Sequence, residues 1–193
     1  MAADAHSPRE RLVYSAAQLL RAQGMSATGV RDVIDHSGTP RGSFQHYFPG
    51  GKDQLVGEAL VWSGNFAAER VEQYVATART PTPAGLFARM VEQWRRDLAA
   101  DFERGCPVVA TAADVAGSDS PVTGPLTAAT DRWERAIVDA LVTMGVPRAR
   151  ARSRATLMLS ALEGAIVLAR IRRDVGPLST VLSELRPVLD SER

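Results

Sequence analysis

Between Leu12 and Leu189, apolar residues recur every three or four positions and almost nowhere every second one. A 3.6-residue period lines up side chains on one face of a helix, whereas a half-buried strand needs alternation bounded by turns. Alternating runs of Val, Ile and Thr are nearly absent. The pattern predicts an all-α chain of about nine helices, with a core made from helix faces.

Caps and breakers divide the pattern. In "SPRE", Ser7 can cap a helix, Pro8 suits its first position and Glu10 completes a capping box. Leu12, Ala16, Leu19 and Leu20 form the following stripe, and Gly24 is expected to end it. A short helix is expected over Val30–His36, closed by Gly38. Another is expected over Pro40–Tyr47, capped by Thr39 and broken by Pro49–Gly51. Longer helices are expected over Lys52–Thr77, with Leu55, Ala59, Trp62, Phe66 and Val71 on one side, and over Ala84–Arg104. Further helices are read at Pro107–Ala116, Leu126–Met144 and Ala149–Arg172, with a last one starting at Gly176–Pro177. The change from short to long elements places the domain boundary at residue 52, giving domains 1–52 and 53–193. The segment Ala149–Arg172 is apolar on most sides from Leu157 to Leu168, a pattern expected of burial on two faces.

Bulk properties restrict the function classes. The 193 residues carry a net charge of +1, so contact with a polyanion would need a local patch. One cysteine, Cys106, allows no intrachain disulfide, which fits a reducing cytoplasm. The start "MAADAHSPRERL" has no apolar signal core, and no apolar run reaches transmembrane length. A cytoplasmic protein with no membrane partner is therefore expected. His6, His36 and His46 share no ligand spacing, so neither a metal nor a cofactor is expected.

The stretch "TPRGSFQHYFPGGKDQL" (Thr39–Leu55) carries the densest chemistry. Two short helices joined by a glycine-containing turn make a helix-turn-helix candidate, whose second helix would enter the major groove of DNA. Such a helix must be slim and polar at its start. Thr39, Arg41, Ser43, Gln45 and His46 supply polar groups, and Gly42 lets the backbone lie close. Phe44 and Phe48, four apart, can anchor it from behind. Tyr47 can reach a phosphate, and Lys52 stands where unpaired N–H groups and the helix dipole favour an anion.

"GTPRGSFQHYFPGGKDQL" resembles the signature of tetracycline-repressor-type (TetR family) transcription regulators, and the upstream "GMSATGVRDVIDHSG" resembles that family's second helix. "FPGGK", "GCPV" and "LEGAIVLAR" are similar to its LmrA/YxaF-like subgroup. The resemblance implies a homodimer with an N-terminal DNA-binding domain and a C-terminal ligand domain. It implies double-stranded operator DNA as a partner and a small-molecule effector of unknown identity. It puts Thr39, Pro40, Arg41, Ser43, Gln45 and His46 at the groove or its rim, Tyr47 and Lys52 on phosphates, and Thr28 and Arg31 on the flanking backbone. Gln45 stands where the family often has Tyr or Trp, and an amide can pair with adenine. Gly29 stands where a Ser or Thr cap is usual, which would loosen the second helix by a few tenths of a kcal/mol.

Trp62, Phe66, Met90, Trp94, Phe102 and Trp133 read as core aromatics and apolar residues or as the lining of a ligand cavity. Glu163, in an otherwise apolar helix, needs a partner, which could be a ligand group or an arginine such as Arg104 or Arg132, unless it is exposed. Cys106 reads as core packing or a ligand contact. In the resembling family the last two helices form the dimer interface. The candidates here are Leu157, Ser160, Ala161, Gly164, Leu168, Val181, Leu182 and Leu185, the small residues permitting close approach. The expected function is a ligand-released repressor. The alternatives are an activator or a regulator that senses a protein and, more remotely, an enzyme using Cys106 or Glu163.

Overall fold

The computed structural model describes residues 7–191, so His6 and the other terminal residues lie outside it. The described residues form helices and connecting turns, with no strand among them. The helices are α1 (Pro8–Ala27), α2 (Val30–Ser37), α3 (Arg41–Tyr47), α4 (Gly51–Thr77), α5 (Pro83–Ala100), α6 (Pro107–Val115), α7 (Thr123–Thr143), α8 (Arg148–Arg172) and α9 (Gly176–Asp190).

Several boundaries differ from expectation, each for a local reason. The capping box at Ser7 and Glu10 forms, with Ser7 Oγ accepting the Glu10 N–H and Glu10 accepting that of Ser7. Gly24 does not stop α1 but kinks it, at φ +75°, and helical turns resume to Ala27. The third helix starts at Arg41, not Pro40, and Thr39 is not its cap. Pro40 is extended at ψ 136°, and the Thr39 hydroxyl lies 2.7 Å from that of Ser37. The fifth helix ends at Ala100, four residues short of Arg104. There the Asp101 carboxylate accepts the Glu103 N–H and pairs with Arg104, which turns the chain and takes Phe102 off the helical face. The same hydrogen bond from Glu103, with Arg104 beside it, holds the Asp101 carboxyl below the ordinary carboxylate range.

The residues fall into two compact units that are discontinuous in sequence. One contains the described residues up to Gly64 together with Cys106–Thr130; the other contains Asn65–Gly105 and the residues from Asp131 onward. The core of the first joins Leu12, Ala16, Leu20, Val33, Phe44, Phe48, Leu55, Leu60 and Leu126. The core of the second is built on Phe87, Val91, Leu98, Ile137, Leu141, Met158, Leu162 and Ile166. Phe66, expected on the inward side of α4, is 43% exposed. Leu157, Val167 and Leu168 are also exposed, so within one chain α8 buries a single face rather than two.

In the first unit α4 meets α7 at Gly64. A Cβ there would lie 2.6 Å from both the Cα and the carbonyl oxygen of Ala129. These are backbone atoms and cannot swing aside as a side-chain tip can. Alanine at this helical position would gain about 1 kcal/mol in propensity over glycine, but overpacking costs about 1–3 kcal/mol. Gly64→Ala is therefore expected to lower the urea midpoint, and an unchanged or raised midpoint would show that the crossing can open.

Candidate nucleic-acid interface

The turn between α2 and α3 is fixed mainly by the backbone. Gly38 takes the left-handed conformation at φ +62°, its N–H donates to the Asp35 carbonyl, and the Thr39 N–H donates to that of Ile34. These two bonds make a Schellman motif, and the left-handed position explains the glycine. Ser37 adds a side-chain clamp, its Oγ lying 2.9 Å from the Ile34 carbonyl and accepting the Thr39 N–H at 3.2 Å. Phe44 and Phe48 anchor α3 from behind. They are 7% and 0% exposed, and their rings stack at 5.5 Å.

With those two rings inward, most of the polar residues of α3 face out. Arg41, Gln45 and His46 are exposed, as are Pro40 and Gly42, while Ser43 and Tyr47 are half-buried. Among the described residues a Cβ at Gly42 would meet nothing beyond its own helix backbone within 4 Å, so no packing contact there requires its bareness. His46 sets its ring against the edge of Tyr47 at 5.0 Å. Arg41 lies 4.0 Å from the Asp35 carboxylate with its side chain 74% exposed, a surface pair that orients rather than immobilises.

Lys52 is half-buried in the first turn of α4. Asp53 shares that turn and already brings negative charge to the helix N-terminus. The loop before it is held by a chain of contacts. The Gly50 N–H donates to Gln54 Oε1, Gln54 donates to Glu58, Glu58 pairs with Arg9, and the Arg9 guanidinium lies 5.5 Å from the Phe48 ring centre.

The two flanking-backbone candidates separate. Arg31 is exposed on α2. Thr28 is 2% exposed, and its hydroxyl donates to the Gly24 carbonyl at 2.6 Å, so it braces the joint between α1 and α2. Gly29 caps α2 without a side chain, but Asp32 reaches back to accept the Gly29 N–H at 3.1 Å. That is half of a capping box, and it offsets the missing Ser or Thr.

The ligand candidates are divided between the units. Trp62 and Cys106 belong to the first, where Trp62 meets Tyr14 edge to face at 5.6 Å and Cys106 is 6% exposed. Phe66, Met90, Trp94, Phe102, Trp133 and Glu163 belong to the second. Met90, Trp94, Phe102 and Trp133 pack half-buried against its core. Both Glu163 carboxylate oxygens are buried, while Arg104 pairs with Asp101 and Arg132 with Glu72. The Phe66 ring carries the Arg70 guanidinium 5.4 Å from its centre. Among the dimer candidates Leu157, Ser160, Gly164 and Leu168 are exposed, and Ala161, Val181, Leu182 and Leu185 are half-buried.

Two residues of α6 were not anticipated. Asp114 accepts the Ser26 N–H at 2.8 Å across 88 positions, and no local pattern announces such a bond. Thr111 is fully buried with no hydrogen-bond partner for its hydroxyl among the described residues.

Comparison with known proteins agrees with this geometry. Residues 12–59 match the model described as "Bacterial regulatory proteins, tetR family". Residues 83–184 match "Transcriptional regulator LmrA/YxaF-like, C-terminal domain". A regulator of Mycobacterium tuberculosis, described as an uncharacterized HTH-type transcriptional regulator, is 39% identical over 191 residues, covering 96% of this chain and 95% of its own. YxaF of Bacillus subtilis, described in the same words, is 28% identical over 186 residues, covering 94% of each chain. In fold, the chain is similar to a TetR transcriptional regulator from Legionella pneumophila, with a TM-score of 0.83, 16% identity and coverage of 97% of this chain and 100% of that one. The chain belongs to the TetR family of DNA-binding transcription regulators, in the group with an LmrA/YxaF-like C-terminal domain.

Proposed function

We propose that the protein is a homodimeric repressor that grips a near-palindromic operator with α3 of each subunit and lets go when a small, largely apolar ligand binds. The carrying observation is α3 itself. Phe44 and, just past the helix end, Phe48 are spent on anchoring, and Arg41, Gln45 and His46 are left outward beside a bare Gly42. Arg41, Gln45 and His46 read base edges, Tyr47, Lys52 and Arg31 hold phosphates, and Thr39 and Thr28 act from inside by fixing the turns. Residues 1–52 form the reading domain, and 53–193 supply ligand binding and dimerisation, in the cytoplasm.

The dimer reading is supported by the exposed side of α8 and α9. Leu157, Leu168 and Ile171 are 39%, 43% and 73% exposed, and Val188 is 46% exposed. Large apolar side chains left exposed on one pair of helices are what an association site would cover. The ligand reading is supported by half-buried Met90, Trp94 and Trp133 near the second core and by the buried Glu163 oxygens, which would orient a polar group on the ligand. Ligand and DNA must favour different states of the protein, since a ligand binding both equally shifts nothing. Cys106 and Glu163 have no catalytic role in this reading.

Arg41→Ala should weaken binding to a duplex selected in vitro on the wild-type protein by about 5–100-fold, the equivalent of one good base contact. Sedimentation should be unchanged. Unaltered affinity in a mobility-shift titration would remove Arg41 from the interface. Separately, Leu168→Glu should turn the dimer into a monomer at micromolar concentration, because a charge would be buried at the two-fold axis region. Helicity by circular dichroism should be kept. A dimer that persists would place the interface elsewhere.

A further inference from the structure

We infer that Asp114 on α6 is a positioning residue for DNA reading: its carboxylate fixes the joint from which α2 and α3 hang. The inference rests on α3 as the reading helix, and its tests separate the two.

The joint lies at the end of α1. Gly24, at φ +75° and ψ −179°, interrupts the helical ladder. Just past the break the Ser26 N–H is taken by Asp114 Oδ2 at 2.8 Å. The carboxylate sits so close to the chain that a Cβ on Gly24 would be 2.7 Å from Oδ2. The left-handed backbone demands glycine, and a Cβ there would also push the Asp114 carboxylate away from its place on the Ser26 N–H. Asp114 and Gly24 form one fitted contact.

From this contact, backbone-directed bonds run continuously to α3. The Thr28 N–H donates to the Met25 carbonyl and the Thr28 hydroxyl to that of Gly24. Asp32 holds the Gly29 N–H, and the Val33 N–H donates to the Gly29 carbonyl. At the far end of α2, the Thr39 N–H donates to Ile34, and the Ser43 N–H donates to Pro40. No step depends on a long flexible side chain. A displacement of Ser26 therefore moves the start of α2 rather than being absorbed. The acceptor comes from the segment matched by the C-terminal family model, and the donor from the segment matched by the N-terminal one. Whatever moves α6 thus acts on the reading helices through Asp114. Such a path is a claim about coupling, and coupling has to be measured.

The full-length protein is compared with Asp114→Ala, which removes the acceptor, and Asp114→Asn, which keeps an oxygen there. Amide hydrogen exchange should rise about tenfold or more across residues 26–43 in the alanine variant, with Leu12–Leu20 unchanged, because local opening is read segment by segment. Affinity for a duplex selected in vitro on the wild type should fall about tenfold while affinity for a random-sequence duplex stays within about twofold, because phosphate contacts survive misplacement and base contacts do not. Asparagine should restore most of both. Faster exchange at Ser26 alone, with α2 and α3 unmoved, would overturn the inference. So would equal losses on both duplexes together with a lower Tm, the mark of a merely structural residue. If the wild type does not distinguish the duplexes, the reading-helix assignment fails, and the exchange pattern still decides the role of Asp114.

Discussion

A seven-residue helix does not persist by itself in water, since nucleation costs more than one turn of hydrogen bonds returns. α3 is that length and has no side-chain cap. It depends on the burial of Phe44 and Phe48 among Leu12, Val33, Leu55 and their neighbours. Every outward residue of α3 takes its direction from those two rings. The interaction that makes the surface usable is therefore an apolar one on the opposite side. It also largely separates the tasks: Phe44 and Phe48 stabilise while Arg41, Gln45 and His46 are left outward, and Tyr47 lies half-buried against the core.

The rest of the small unit follows the same division. Anchoring is hydrophobic, but angles between helices are set by hydrogen bonds at the joints. Gly38 turns the chain with a Schellman motif, Gly24 kinks it against Asp114, and Gly50 is held by Gln54. Each joint pairs a bare backbone position with a polar group of defined direction. Hydrophobic contact alone is non-directional and would leave α3 free to roll. Acidic residues lie among the cations here, Asp35 near Arg41 and Asp53 beside Lys52.

Much of this was legible in the sequence because the signals are local. The Ser7–Glu10 box, the turn at Gly38 and the inward pair Phe44 and Phe48 follow from spacing alone. Asp32, three residues after Gly29, could also have been found, since it occupies the position from which a side chain reaches back to the cap. Elsewhere the outcome turns on which of several available partners, near or far in the sequence, a group takes. Gly24 has the look of a stop signal, and only the kink and the Asp114 carboxylate explain why helix resumes after it. Thr39 has the chemistry of a cap, but Pro40 stays extended and Ser37 lies against the Thr39 hydroxyl. Thr28 has the chemistry of a phosphate contact, but it is buried on the Gly24 carbonyl. Composition cannot tell which of two available partners a hydroxyl will take.

α8 carries the same lesson at larger scale. Its apolar pattern calls for two buried faces, and one chain covers one, with Met158, Leu162, Ala165, Ile166 and Ala169 inward. On the other side, positions 157, 161, 164, 168 and 171 are spaced alternately by four and three, the seam along which one helix packs on another. The large residues Leu157, Leu168 and Ile171 stand at its ends and lower turns, with Ala161 and Gly164 between them. A bulky centre would hold a second helix away, whereas a Gly–Ala centre flanked by large residues lets backbones close while the flanks fill the gaps. Among the described residues nothing beyond its own helix backbone meets a Cβ at Gly164 within 4 Å. A second copy crossing near Gly164 would bring the same small centre and the same flanks, because a two-fold contact sets a surface against itself. A face left uncovered in one chain would be self-complementary in the proposed dimer, and that is the argument for reading it as the seam.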